Sequence, residues 1–271
     1  MSLVTPRQSD ILSLARRLGR VDVDGLAAQF EVTPQTIRKD LNDLCDRNLL
    51  QRVHGGAIHP SNVTNLAYDS RRVLAADAKA RIGRRAASLI PDHSSIIMNI
   101  GTTTEEVAKS LLRHDDIMCV TNSINVAHIL RESRAAQVIV AGGVVRATDG
   151  GIVGEATVAF MRQFKADFAV IGTSAIDADG TLLDYDYREV SVAREIIRLS
   201  RTTMLVADSM KFERKAPVRI APIAEIDVFV TDRQPPRSVE EAIEAGGVRL
   251  EIAEAEPGEE AVASERDEAA A

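Results

Sequence analysis

Val32-Thr-Pro-Gln-Thr-Ile-Arg-Lys-Asp-Leu-Asn-Asp-Leu-Cys-Asp-Arg-Asn-Leu-Leu-Gln-Arg-Val-His-Gly-Gly-Ala57 is the stretch whose reading decides the fold. A threonine hydroxyl at position 33 can cap a helix, and Pro34 then occupies the first helical position, where a missing N–H costs nothing. Ile37, Leu41, Leu44 and Cys45 recur at helical spacing and form one inward stripe. Gln35, Thr36, Arg38, Lys39 and Asn42 are left on the opposite face. Upstream, Asp24 to Glu31 reads as a short amphipathic helix with Leu26, Ala27 and Phe30 inward and Asp24 as its cap. Two short helices joined by a tight turn make a helix-turn-helix. After Asn48 the pattern alternates as a small β-wing does, with Gly55-Gly56 permitting its turn.

The second helix offers what a DNA groove requires. A major groove admits one α-helix, and a capped N-terminus carrying Gln, Thr, Arg, Lys and Asn brings N–H dipoles to phosphate and side-chain donors to base edges. On this reading Thr33, Gln35, Thr36, Arg38, Lys39 and Asn42, with Arg52 and His54 of the wing, form the DNA-binding set. The order V-T-P-Q-T-I-R-K-D-L-x-x-L followed by R-x-H-G-G-A resembles the DNA-binding signature of the DeoR family of bacterial sugar-metabolism repressors.

The chain has 271 residues, 45% of them hydrophobic, and no tryptophan. That is enough to bury a full core, and the length predicts two domains. Apolar runs are strand-sized, and the N-terminus has no signal-like apolar segment, so a membrane span is excluded and a cytoplasmic location is expected. Cys45 and Cys119 fall in different predicted domains and are expected as buried thiols rather than a disulfide. The net charge of −7 is localised: from Glu251 onward eight acids face only Arg266. Residues 1 to 57 carry a net +1, so binding DNA requires a polarised face and several heads at once, as in a homodimer or homotetramer.

In chain order, Pro6 to Leu18 is a support helix, and Arg20 to Val23 is an extended piece able to pair with the wing. The expected domains are a winged helix-turn-helix at 1–58, a linker at 59–78 and an α/β effector-binding domain at 79–252. A disordered acidic tail is expected at 253–271. From Tyr68 onward strand-length and helix-length segments alternate. Strands are predicted at Ser95 to Ile100, Ile117 to Thr121, Gln137 to Ala141, Asp167 to Gly172, Thr203 to Asp208 and Asp227 to Thr231. Helices are predicted at Lys79 to Ile90, Thr104 to Arg113, Asn125 to Glu132, Glu155 to Phe164, Tyr187 to Ser200 and Ser238 to Ala245. The fold class is α/β, with a mostly parallel sheet and a ligand crevice at the strand carboxyl ends.

Those ends carry a second constellation. The first strand runs into Gly101-Thr-Thr-Thr-Glu105, whose N–H groups and three hydroxyls at a helix start suit a phosphate. Thr121-Asn-Ser123, Gly142-Gly143, Asp149 to Glu155, Gly172 and Asp208-Ser-Met-Lys-Phe212 end the others. Neither a Walker A loop nor a dinucleotide fingerprint occurs, which argues against nucleotides held in those ways. His54, His59, His93, His114 and His128 lack metal-ligand spacing, so no metal and no cofactor is expected. Asp149, Asp208, Glu189 and Lys211 are acid–base candidates by type, in a spacing that matches no catalytic motif. No catalytic residue is assigned.

These positions again resemble the DeoR family, whose sugar-phosphate sensor domain is similar to ribose-phosphate isomerases. The resemblance implies an effector set of Arg71, Lys79, Gly101, Thr102, Thr103, Thr121, Asn122, Ser123, Gly143, Asp149, Gly151, Gly172, Glu189, Asp208 and Lys211. It implies a repressor released from double-stranded operator DNA by a phosphorylated small molecule. The variants at 33–44, 149–157 and 182–190 point within the family to glycerol 3-phosphate and genes of its metabolism. The departure is Asp208-Ser-Met-Lys-Phe212, which replaces the usual D-H-S-K-F and drops an imidazole and a hydroxyl. The alternatives are another sugar-phosphate operon, or an isomerase-like enzyme.

Overall fold

A computed structural model describes residues 5–47, 49–53, 55–58, 65 and 68–254, with the side chains of Arg16, Arg17 and Ser70 excepted. Two compact units part between Leu74 and Ala75.

The first unit begins with α1 (Pro6–Leu18), closed at its start by a capping box in which Thr5 and Gln8 satisfy each other's backbone. Next come β1 (Arg20–Asp22), α2 (Val23–Phe30) and α3 (Pro34–Asp46). Asp22, not Asp24, caps α2, accepting from the Gly25 N–H at 2.7 Å. The extended piece therefore ends one residue earlier than expected, because an acceptor two residues before Asp24 reaches the first free N–H groups. β2 (Gln51–Val53) and β3 (Gly56–Ile58) form the wing, turning at Gly55 with φ 72°. β3 pairs antiparallel with β2 and with β1, so the Arg20 segment does join the wing.

Ile37, Leu41 and Leu44 are wholly buried among Ile11, Ala15, Leu26 and Ala57. Each such side chain contributes about 1.5–3 kcal/mol of transfer free energy. Cys45 at the edge of the stripe is only half-buried. α4 (Tyr68–Val73) lies in the stretch expected to be linker, where the cation pair Arg71 and Arg72 stacks near the Tyr68 ring. Residues 59–64, 66 and 67 of that stretch, and 255–271 of the expected tail, lie outside the described residues.

The second unit opens with α5 (Ala76–Ser88), β4 (Ser95–Met98), α6 (Thr102–Leu111), β5 (Ile117–Thr121), α7 (Ile124–Leu130) and β6 (Ala136–Val140). A short hairpin, β7 (Val144–Val145) and β8 (Ile152–Val153), precedes α8 (Glu155–Met161), β9 (Ala166–Ile171), β10 (Ala175–Ile176) and β11 (Thr181–Asp184). The chain continues through α9 (Tyr187–Arg198), β12 (Ser200–Val206), β13 (Val218–Pro222), β14 (Val228–Thr231), α10 (Arg237–Gly246) and β15 (Arg249–Ile252). The hairpin and β10 have only two residues per strand, and β11, β13 and β15 mix charged residues or proline with apolar ones, so none makes a continuous apolar run in the sequence.

The main sheet is parallel, in the order β15-β14-β12-β9-β4-β5-β6. Its strands bury both faces. Ile97, Ala169, Ile171, Leu205 and Phe229 enter one core with α9 and α10, while Ile96, Met98, Val170, Met204, Val206 and Val230 enter the other with α5 and α6. Successive side chains of one strand point to opposite faces, which is why these segments read as unbroken apolar runs. From β4 the chain builds outward to β5 and β6, then returns to β9 on the other side and builds outward to β15. The connections leaving β4 and β9 therefore diverge, and a ligand crevice belongs at their carboxyl ends.

Candidate functional site

On α3 the cap is a pair of hydroxyls. Thr33 Oγ1 accepts from the Thr36 N–H at 3.3 Å and lies 2.9 Å from Thr36 Oγ1. Gln35, Lys39 and Asn42 are exposed, Thr36 and Arg38 half-buried, and Arg52 is exposed on the wing. His54 lies outside the described residues. Asp40, which sequence reasoning passed over, is buried in α3, accepting from Arg7 Nε at 2.5 Å and from Gln8 Nε2 at 3.3 Å. It fastens α3 to α1. A charge-assisted bond to a partner 33 residues away sets the helix's placement without altering its outward face.

In the second unit, β4 leaves the sheet through Gly101, and no side chain caps α6 among the described residues. First-turn N–H groups at such an end suit an anion, and Thr102 and Thr103 lie there, buried. The third expected hydroxyl is not available. Thr104 Oγ1 donates to the Gly101 carbonyl at 2.7 Å, or to that of Asn99 at 3.1 Å. The next loop is close by: Thr121 Oγ1 donates to the Met98 carbonyl at 2.8 Å and accepts from the Ser123 N–H at 3.0 Å. Ser123 Oγ caps α7 through the Val126 N–H at 3.2 Å. Asn122 Nδ2 donates to the Ile152 carbonyl at 2.9 Å, drawing in the loop that carries Asp149 and Gly151. A Cβ at Gly151 would lie 2.3 Å from Ile100 Cδ1, and one at Gly143 would lie 2.4 Å from Thr157 Oγ1, so both glycines serve close approach. Gly172, ending β9, donates its N–H to Asn99 Oδ1 at 3.0 Å.

The remaining expected residues divide. Asp208 caps the 3-10 turn Ser209–Glu213, accepting from the Met210 N–H at 3.2 Å, and Lys211 lies in that turn at the end of β12, beside β9 in the sheet. Lys79 is buried on α5. Arg71 belongs to the other unit, near the Tyr68 ring at 5.8 Å. Glu189 joins the loops through a residue that sequence reasoning missed, Arg146. Its guanidinium bonds Asp149 twice, at 2.8 and 2.7 Å, Asp186 at 3.1 Å, and Glu189. The one signal in the sequence was its isolation: Arg146 is the only charge between Arg134 and Asp149.

Burial works against the charge on Arg146, but the bonds to Asp149 and Glu189 more than offset it and its pKa rises. Burial, then the nearby charge of Asp184, pushes the Glu189 carboxyl up to about 8 against the pull of Arg146. Arg188, and after it Arg146, holds Asp186 down to about 2. Cys119, buried in β5, has its thiol pushed up to about 12 by desolvation, which makes it a packing residue.

No helix among the described residues is long and apolar enough to cross a membrane. The DeoR-like helix-turn-helix domain matches residues 7–63 and the DeoR C terminal sensor domain residues 74–233. The glycerol-3-phosphate regulon repressor of Escherichia coli K12 is 44% identical over 248 residues, covering 92% of this chain and 98% of that protein. The repressor of the same name from Haemophilus influenzae is 46% identical over 229 residues, covering 84% and 89%. The HTH-type transcriptional repressor CsqR of Escherichia coli is 36% identical, covering 90% and 94%. Among solved structures, ribose 5-phosphate isomerase A from Neisseria gonorrhoeae aligns with a TM-score of 0.37 and 12% identity, over 49% of this chain and 52% of that one. With a matching DNA-binding domain and a matching sensor domain in one polypeptide, this chain belongs to the DeoR family.

Proposed function

We propose that this protein is a transcriptional repressor of glycerol and glycerol 3-phosphate metabolism genes, and that glycerol 3-phosphate releases it from its operator. The observation that carries the reading is the presence in one chain of an exposed polar recognition face on α3 and a glycine-threonine helix start at the point where the sheet's connections diverge. Relatives bearing the repressor name along almost their whole length support it. In this reading Gln35, Thr36, Arg38, Lys39 and Asn42 enter the major groove, Arg52 and His54 touch the backbone, and Thr33 holds the helix start in shape. The phosphate sits at Gly101–Thr103. The head carries little net charge, so it acts as a homodimer or homotetramer on repeated half-sites, in the cytoplasm where the operator is.

The crevice senses rather than catalyses. A general base must be aimed at a substrate proton. Here Asp149 and Glu189 are tied to Arg146, and Asp208 is occupied as a cap.

Fluorescence anisotropy with promoter DNA of the glycerol-utilisation genes tests both halves. Glycerol 3-phosphate should lower affinity for the DNA and be recovered chemically unchanged by NMR. Replacing Thr102 and Thr103 by Ala should leave DNA binding near normal and abolish release. Release by glycerol 3-phosphate at the parent's concentration in that double variant places the phosphate elsewhere, and turnover of the ligand refutes the sensor reading.

A further inference from the structure

Asn122 lies where the loops ending β4, β5 and the β7–β8 hairpin come together. Its side chain is 1% exposed. The bond from Nδ2 to the Ile152 carbonyl fixes which end of the amide is oxygen, and the Ile152 N–H answers with a 2.7 Å bond to the Asn122 carbonyl. The side chain is thus clamped at one end. At the other, Oδ1 has no hydrogen-bond partner among the described residues. Burying an acceptor without a donor is costly, and such an atom marks a place where a donor is expected from elsewhere.

The surroundings narrow the donor's chemistry. Thr121 donates its hydroxyl to the Met98 carbonyl and Ser123 Oγ accepts from the Val126 N–H, and neither hydroxyl bonds Asn122 Oδ1. Gly151, next to Ile152, abuts Ile100, so Asn122 belongs to the same loop cluster as Gly101 to Thr103. A cationic donor would need an uncompensated carboxylate nearby, whereas Asp149 is already bonded twice by Arg146. A neutral donor remains, and the hydroxyls of a polyol phosphate supply one.

We infer that Asn122 Oδ1 accepts a hydroxyl of the phosphorylated effector, making the site selective for a polyol phosphate over a phosphate ester that lacks the hydroxyl. The inference rests on the repressor reading above, which places the phosphate at the start of α6. The residue reads the end of the ligand that the phosphate does not. An analogue without the hydroxyl leaves the acceptor unpaired, and sites built this way reject such analogues far more strongly than apolar pockets reject a missing methylene.

The test uses the full-length protein in calorimetric titrations with glycerol 3-phosphate, 1-propyl phosphate and inorganic phosphate. The parent should bind glycerol 3-phosphate at least about tenfold tighter than propyl phosphate. Asn122→Ala should lower affinity for glycerol 3-phosphate much more than affinity for propyl phosphate and so bring that ratio close to one. Asn122→Ser, whose shorter side chain cannot place an acceptor where Oδ1 lies, should behave alike and serves if the alanine variant does not fold. A variant that keeps the parent's ratio overturns the inference. So does one that loses both esters equally, since Asn122 would then only shape its loop. A parent that binds both esters equally overturns the inference and leaves the repressor reading standing; a parent that binds none of the three overturns the effector reading as well.

Discussion

In the head, Gln35, Lys39 and Asn42 stand exposed over a stripe of Ile37, Leu41 and Leu44, whereas in the α/β unit Thr102, Asn122, Ser123, Asp149 and Asp208 are all buried. The head's polar face makes few demands on the rest of the fold; its placement depends on apolar packing and on the Arg7–Asp40 fastening behind it. The crevice is the reverse case. Most of its polar groups are held by other polar groups, as Asp149 is by Arg146 and Thr121 by the Met98 carbonyl. A surface for reading a large ligand is carried by apolar support, and a site for a small one by mutual hydrogen bonding.

The strongest way to break this contrast is Leu41→Ala, which should cost about 2–5 kcal/mol by opening a cavity in the head's small core. Urea denaturation combined with DNA binding is the measurement. A variant that binds DNA as the parent does, with an unchanged midpoint, would show that apolar packing does not set the head's stability.

Arg146→Met probes the crevice in the same terms. Removing the guanidinium leaves buried carboxylates uncompensated, and the loss should be about 3 kcal/mol at neutral pH. Stability within about 0.5 kcal/mol of the parent would mean that those acids do not depend on it.

Glu189→Gln sharpens the comparison through pH. Folding raises the Glu189 pKa from the ordinary 4.5 to about 8, so the folded chain holds its proton more tightly than the unfolded one. The stability this contributes is full below about pH 4.5 and is lost as pH rises towards 8. Asp186 has the opposite sign: its contribution is present above the usual carboxylate range and is lost as pH falls towards about 2. Between pH 5 and 8 the parent should therefore lose stability relative to Glu189→Gln. Parallel curves across that range, measured by urea midpoints, would remove Glu189 from the balance.

The smallest effect is expected at the helix start, where Thr33→Ala should cost about 1 kcal/mol through loss of the cap. A thermal midpoint unchanged by the substitution would leave Thr36 to hold the turn alone.

The same contrast governs what could be read from the chain. The α3 stripe, its threonine cap and the wing are local, and a period of 3.6 residues or a Gly-Gly turn announces each. The parallel strands were legible because burial on both faces makes them continuous apolar runs, as at Ser95–Met98 and Val228–Thr231. Arg146 was not, since its partners Asp186 and Glu189 lie 40 and 43 residues away on another helix start. Asp40 escaped for a related reason: a carboxylate on a helix reads as solvated until a partner on α1 is known. The Oδ1 of Asn122, without a partner among the described residues, leaves no trace in sequence, because only the folded surroundings decide whether an amide finds its donor.

The divergence of the connections from β4 and β9 has a consequence for how such proteins diversify. Because backbone topology alone places the strand ends, a duplicated gene can exchange the side chains at the far wall of the crevice while the helix start proposed to hold the phosphate, at α6, persists. New effector preferences can then arise by a few substitutions at the strand ends, with the apolar runs of the sheet and the DNA-reading helix left as they were.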